Sequence, residues 1–174
     1  LTKSINNHDN PPASMRMTLA SEYGCLALLA VGETEGWCKR QQIAERFDIP
    51  TSFLEQILRK LVAAGFIVSR RGADGGYQLS RAASEIVIAD VVRAMDGALA
   101  PVASVSENFY HPSPVEASVA YHRLFRRVRD AIAAILEETT LEDILDVERT
   151  SRTARRRKAG SRDRRVARPA TRRR

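Results

Sequence analysis

Apolar residues recur at helical spacing through most of the chain, and the recurrence is interrupted at a few well-marked places. Over residues 18–31, Leu19, Tyr23, Leu26, Ala27 and Ala30 fall on one face, and Leu28, Leu29 and Val31 widen it. A helix this apolar is mostly buried. After a polar connection at 32–36, Ile43, Ala44 and Phe47 mark a short second helix. Lys39 is a poor N-cap, so its start depends on tertiary packing. Asp48-Ile49-Pro50 ends it, because a residue before proline is pushed out of the α region. Ser52 followed three residues later by Glu55 predicts a capping box for a third helix. Leu54, Ile57, Leu58, Leu61 and Val62 are that helix's apolar stripe, and Gly65 suits the left-handed position that closes it. Two β-prone runs follow, Phe66-Ile67-Val68 and Tyr77-Gln78-Leu79. The segment between them, Arg70-Arg71-Gly72-Ala73-Asp74-Gly75-Gly76, predicts a hairpin with a long, glycine-rich tip.

The rest of the chain reads as scaffold. Ile86-Val87-Ile88 is an extended lead-in to a fourth helix over 89–96, with Val91, Val92 and Met95 inward and Gly97 at its end. Residues 99–114 lack a period and contain Pro101, Pro112 and Pro114, which predicts an irregular excursion. From 115 to 138, Tyr121, Leu124, Phe125, Val128, Ile132, Ile135 and Leu136 recur at spacings of three and four. This long helix suits dimerisation, although the same stripe can pack on its own domain. Thr140, with Asp143 three residues on, caps a short last helix whose apolar face is Leu141, Ile144 and Leu145. The predicted fold is mainly α with a small β-hairpin wing, a winged helix-turn-helix over 15–98. An irregular loop follows at 99–114, then a dimerisation helix and a short terminal helix over 115–147.

Charge changes this picture at the ends. Of the 174 residues, those from 149 to 174 hold 13 Lys and Arg against one acid, Asp163, while the remainder is net acidic at −5. The overall +7 therefore belongs to the tail. Within the acidic body, residues 39–81 carry eight basic and four acidic side chains, a basic island suited to a polyanion. An ordinary solvated charged face gives the same count. The Arg-rich tail at 148–174 has few large apolar residues and many like charges, so disorder is expected. Such a tail attracts nucleic acid without sequence preference, or contacts acidic surfaces, or aids solubility. Residues 1–14 are polar and proline-containing and are expected to be a disordered extension.

The hydrophobic fraction of 44% suffices for a core. No apolar run approaches the roughly 20 residues of a membrane span, so no membrane partner is expected. Cys25 and Cys38 are too few for a disulfide framework, which favours the cytoplasm and a packing role for both. Trp37 reads as a loop anchor.

Several segments together resemble the Rrf-two family of winged-helix regulators. They are Met15-Arg16-Met17-Thr18, Ile43-Ala44-Glu45-Arg46, Ile49 through Phe53-Leu54-Glu55-Gln56-Ile57, and Ala64-Gly65-Phe66-Ile67. The wing from Arg71 to Leu79, the run 86–97 and Thr140-Leu141 complete the match. The wing is the most specific of these. The resemblance implies a sequence-specific, homodimeric regulator of transcription that binds double-stranded DNA, with repression the expected action. On matching positions it puts Ser52, Glu55, Gln56 and Arg59 on a helix in the major groove. Gln suits adenine, Glu cytosine, and Arg guanine or phosphate. Arg71, with Gly72 beside it at the wing tip, suits a narrow minor groove, and Lys60 and Arg70 suit phosphates. Glu55 has the capping box as its alternative role.

Many family members hold an iron–sulfur cluster on three cysteines between the fourth helix and the dimer helix. Residues 99–121 contain no cysteine here, and His122 alone cannot replace thiolates. No cofactor is expected. Glu107, His111, Glu116 and His122 are oxygen and nitrogen donors whose spacing fits no standard metal pattern. An unidentified effector or partner protein then supplies the signal, or the chain binds DNA constitutively. The alternative function is a protein-interaction module that uses the winged helix to bind a partner enzyme. Nothing in the sequence supports an enzyme: no nucleophile–base set, phosphate loop or metal motif is present.

Overall fold

A computed structural model describes residues 17–97, 99–107 and 110–166, with side chains as far as 155. The expected extension at 1–14 and the end of the tail at 167–174 lie outside the described residues. Among those described are six α-helices and one hairpin. They run α1 (Leu19–Glu33), α2 (Arg40–Phe47), α3 (Thr51–Ala63), β1 (Ile67–Arg70), β2 (Gly76–Leu79), α4 (Ile88–Asp96), α5 (Val119–Glu138) and α6 (Leu141–Val166).

The helix α1 is the hub, packed on α2, α3, α4, α6 and β2. Its apolar run is buried, Ala27 and Leu28 completely. Thr18 caps it, accepting from the Ala20 amide at 3.2 Å. The Thr18 amide in turn donates to Asp96 Oδ2 at 3.0 Å, which ties the start of α1 to the end of α4. The ring of Phe53, near the start of α3, meets Tyr23 edge-on at 5.6 Å.

The turn between α2 and α3 departs from the sequence reading at one point. Asp48 is left-handed, and the buried Ile49 donates back to the Ala44 carbonyl at 3.1 Å. Pro50 then takes the cap position, its carbonyl accepting from the amides of Phe53 at 3.0 Å and Leu54 at 2.9 Å. The predicted Ser52–Glu55 capping box is therefore not formed. Ser52 already lies inside the first turn, where its hydroxyl no longer occupies the capping position. The far end of α3 is as expected. Gly65 (φ +75°) donates to the Val62 carbonyl and Phe66 to the Leu61 carbonyl, both at 3.0 Å, a Schellman closure.

The strands pair antiparallel, with Ile67 opposite Leu79 and Arg70 opposite Gly76. Cys38 adds a short third rung: its amide donates to the Tyr77 carbonyl at 2.9 Å and its carbonyl accepts from Tyr77 at 2.8 Å. The lead-in at Val87 bridges to Thr140. The irregular excursion contains two short 3-10 turns, Ala103–Val105 and Pro114–Ala117, so α5 starts at Val119 rather than 115.

The terminal helix is longer than expected. Thr140 and Asp143 form the predicted box, with the Thr140 amide on Asp143 Oδ2 at 2.8 Å and the Asp143 amide on Thr140 Oγ1 at 3.3 Å. The helix then runs to Val166 instead of giving way to a disordered tail at 148. Local bonds carry it onward: Arg149 pairs with Asp146 at 3.0 Å, and Thr150 and Thr153 donate to the carbonyls of Asp146 and Arg149. Arg and Ala are also good helix formers.

Candidate nucleic-acid interface

The helix α3 presents two faces of opposite character. Leu54, Ile57, Leu58 and Leu61 are fully buried. Ser52, Glu55, Gln56 and Arg59, at spacings of three, four and seven from Ser52, lie on the solvent face. Ser52, Gln56 and Arg59 have no hydrogen-bond or ion-pair partner among the described residues. Glu55 meets Arg40 Nη1 from the start of α2 at 3.2 Å, with both side chains about half exposed. Arg40 thus joins the solvent face of α3, a residue the sequence reading left unassigned; its position just inside a helix start was the available signal.

The hairpin continues α3 through Gly65, and its base is tied there. The Gly65 carbonyl accepts from the Ser80 hydroxyl and from Arg81 Nη1, the latter at 3.2 Å. Arg81 also lies over the Phe66 ring at 5.2 Å. At the tip, the Arg70 guanidinium stacks 4.7 Å above the Trp37 ring and donates to the Asp74 carbonyl. The Trp37 ring thereby braces the wing. Two glycines are enforced by close backbone. A Cβ at Gly75 would meet the Arg70 carbonyl oxygen at 2.1 Å, and one at Gly76 the Cys38 carbonyl oxygen at 2.5 Å. Gly72 (φ +105°) faces open space. Arg71, beside it, is exposed and has no partner among the described residues.

Two of the expected phosphate contacts are engaged within the chain. Arg70 is held by Trp37 and Asp74. Lys60 Nζ donates to the Met95 carbonyl at 3.3 Å, which draws it toward the end of α4. Among the described residues, the expected contact side chains left without a partner are therefore Ser52, Gln56, Arg59 and Arg71.

A polar-faced helix leading directly into an arginine-tipped wing defines a winged helix-turn-helix DNA-binding protein. The chain belongs to the Rrf2 family: the family described as "Rrf2: Iron-dependent Transcriptional regulator" matches residues 17–147. It is 30% identical to the HTH-type transcriptional regulator CymR of Bacillus subtilis, over 75% of this chain and 89% of that one. It is 32% identical to the HTH-type transcriptional regulator IscR of Photorhabdus laumondii, over 76% and 80%. The solved structure of B. subtilis CymR, described as the global cysteine regulator, superposes with a TM-score of 0.61 at 29% identity. That match covers 76% of this chain and 97% of the other. The protein is a DNA-binding transcriptional regulator and not an enzyme. No helix among the described residues is long and apolar enough to cross a membrane.

The iron in the family description does not fit this donor set. Cys25 lies in α1, where burial, assisted by the nearby Asp96 charge, pushes its thiol up to about 11. A metal-ligating thiolate needs the opposite shift. Cys38 is buried at the wing bridge. The oxygen and nitrogen donors are dispersed among other partners: Glu107 pairs with Arg129 at 2.6 Å, Glu116 accepts from Tyr110 at 2.7 Å, and His122 Nε2 lies 3.5 Å from the Ser104 carbonyl. No group of three such donors comes together among the described residues. A cavity of about 230 Å³ between α4 and α5 includes Glu107, Asp130 and Glu137, but Arg129 and Arg93 already take these carboxylates.

Proposed function

We propose that the protein is a homodimeric repressor without an iron–sulfur cluster, which reads its operator through the solvent face of α3 and the wing. The observation that carries this reading is the row Ser52, Gln56 and Arg59 on α3, and the exposed Arg71 at the wing tip, whose side chains have no partner among the described residues. Gln56 suits adenine, and Arg59 guanine or a phosphate. Ser52 supports either, and Arg71 enters the minor groove with Gly72 allowing close approach. Glu55, held by Arg40, accepts from cytosine when Arg40 turns to a phosphate. Lys60 and Arg70 add positive field and hold the framework.

The dimer reading rests on α5. Tyr121, Leu124 and Ile135 are 47–66% exposed on one face of this helix, an apolar stripe of the kind a symmetric partner covers. A cytoplasmic location is the reading that bacterial relatives and a DNA target support, and an effector or partner protein would supply any signal.

The test selects binding sites from a random duplex pool with the purified chain, then repeats the selection with Gln56→Ala and Arg71→Ala. Each variant is expected to lose discrimination at its own base positions, by about 1–3 kcal/mol per paired contact for Gln56. Unchanged preference in both variants sinks the readout. A promoter–reporter fusion carrying the selected site tests repression.

A further inference from the structure

We infer that α6 is a second DNA-contacting element, indifferent to sequence and fixed to the winged helix by a carboxylate clamp at Glu33. This rests on the reading of α3 and the wing as a DNA surface. The first turns of α6 belong to the core of that domain. Leu141 and Leu145 are buried, and the Leu141 amide donates to the Ile86 carbonyl at 2.8 Å. Leu145 fills the space over Gly32, 3.1 Å from where a Cβ would stand. Two turns on, Arg152 pairs with Glu33 at the end of α1, and Arg46 from α2 pairs with the same carboxylate. The Glu33 side chain is 8% exposed. A carboxylate this buried needs its cations, so the clamp joins α6, α1 and the helix-turn-helix.

The sign of the charge on α6 reverses at this clamp. Before it stand Glu142, Asp143, Asp146 and Glu148; beyond it stand Arg155, Arg156, Arg157, Lys158, Arg162, Arg164 and Arg165, against Asp163 alone. Acids at the start and cations toward the end favour the helix itself. From Arg152 to Val166 the helix extends about 21 Å at 1.5 Å per residue, alongside which a duplex carries on the order of ten phosphate charges. Between these residues Ala154 and Ala159 are the only apolar side chains. The segment therefore lacks the apolar face that a membrane surface or a protein groove requires, and its chemistry fits a phosphate backbone. Residues 1–148 are net acidic at −5, so this segment adds long-range attraction to the local positive field of α3 and the wing.

The experiment compares the full chain with a chain ending at Arg155, which keeps the clamp. Binding to a mixed-sequence 40-base-pair DNA duplex is followed by fluorescence anisotropy from 50 to 300 mM KCl. The full chain is expected to bind about tenfold or more tightly at 100 mM, with a log–log salt slope steeper by roughly three or more. Equal affinities and slopes overturn the inference. Site selection from a random pool separates the two readings, since the shortened chain keeps its sequence preference if α3 and the wing read DNA. The clamp has its own readout. Trypsin followed by mass spectrometry is expected to trim the wild type beyond Arg152 and to cut Glu33→Gln at Arg149 and Arg152 as well. Early cleavage at Arg152 in both proteins overturns the clamp.

Discussion

Replacing Gly76 with alanine is the sharpest probe of how the wing is held. The new methyl would stand 2.5 Å from the Cys38 carbonyl oxygen, 3.0 Å from its carbon and 3.3 Å from the Trp37 carbonyl carbon. All three obstructing atoms are backbone, so no rotamer change relieves the overlap. β2 must lift away from Cys38, and this breaks the pair of hydrogen bonds with Tyr77 at 2.9 and 2.8 Å. Two such bonds contribute about 1–3 kcal/mol together, and alanine also fits the native backbone poorly here. The expected loss is about 2–3 kcal/mol in urea unfolding. Trp37 is the only tryptophan and adjoins the displaced rung, so its emission should shift in the folded variant. Gly72→Ala is the control: its methyl meets nothing within 4 Å, but φ is +105°, so only a conformational cost of about 1 kcal/mol applies. A loss below about 0.5 kcal/mol for Gly76→Ala, with wild-type Trp37 emission, would refute the close-approach argument.

Other outcomes follow from single groups. Leu124→Glu and Ile135→Glu on α5 should each convert a dimer to a monomer by light scattering while the melting of the DNA-binding unit persists; retained dimers would remove α5 from the interface. The two hydrogen bonds from Thr140 hold the Asp143 carboxyl below its ordinary value of 3.8. Its contribution is therefore present above that value and lost as pH falls through the lower folded value. The helicity difference between wild type and Asp143→Asn should vanish at strongly acid pH, and a difference constant from pH 6 downward would contradict this. With its thiol near 11, Cys25 should resist alkylation at pH 8 in the folded chain, as should the buried Cys38. Both should react in urea; rapid native labelling of Cys25 would show that α1 opens.

Features whose partners are near in sequence were legible from the residues. The Gly65 closure involves bonds from Gly65 and Phe66 back to Val62 and Leu61, and the Thr140–Asp143 box spans three residues. The Ser52–Glu55 box has the same spacing and failed. Two acceptors compete for the amides at that helix start, and the Pro50 carbonyl, fixed one residue before the helix, wins. Spacing identifies a possible donor–acceptor pair without identifying its rivals. Lys60 and Arg70 show the same limit. Exposed cations beside a reading helix suit phosphates, but the Met95 and Asp74 carbonyls and the Trp37 ring that engage them come from other turns of the fold.

The longest miss, at α6, has a different cause. Composition argues for disorder on the premise that a segment without large apolar residues has nothing to bury. That premise weighs each stretch alone. Leu141 and Leu145 bury themselves in a core built by α1, and Arg152 neutralises a carboxylate 119 positions earlier in the chain. Cys38 is comparable: a single residue with no strand pattern of its own becomes a rung because Tyr77 faces it. In each case the stabilising partner was fully formed elsewhere in the fold, so the segment itself needed only one or two suitable groups. Glu33, read as part of a polar connection, is such a partner, and only the arrival of Arg46 and Arg152 from two other helices distinguishes it from Glu35.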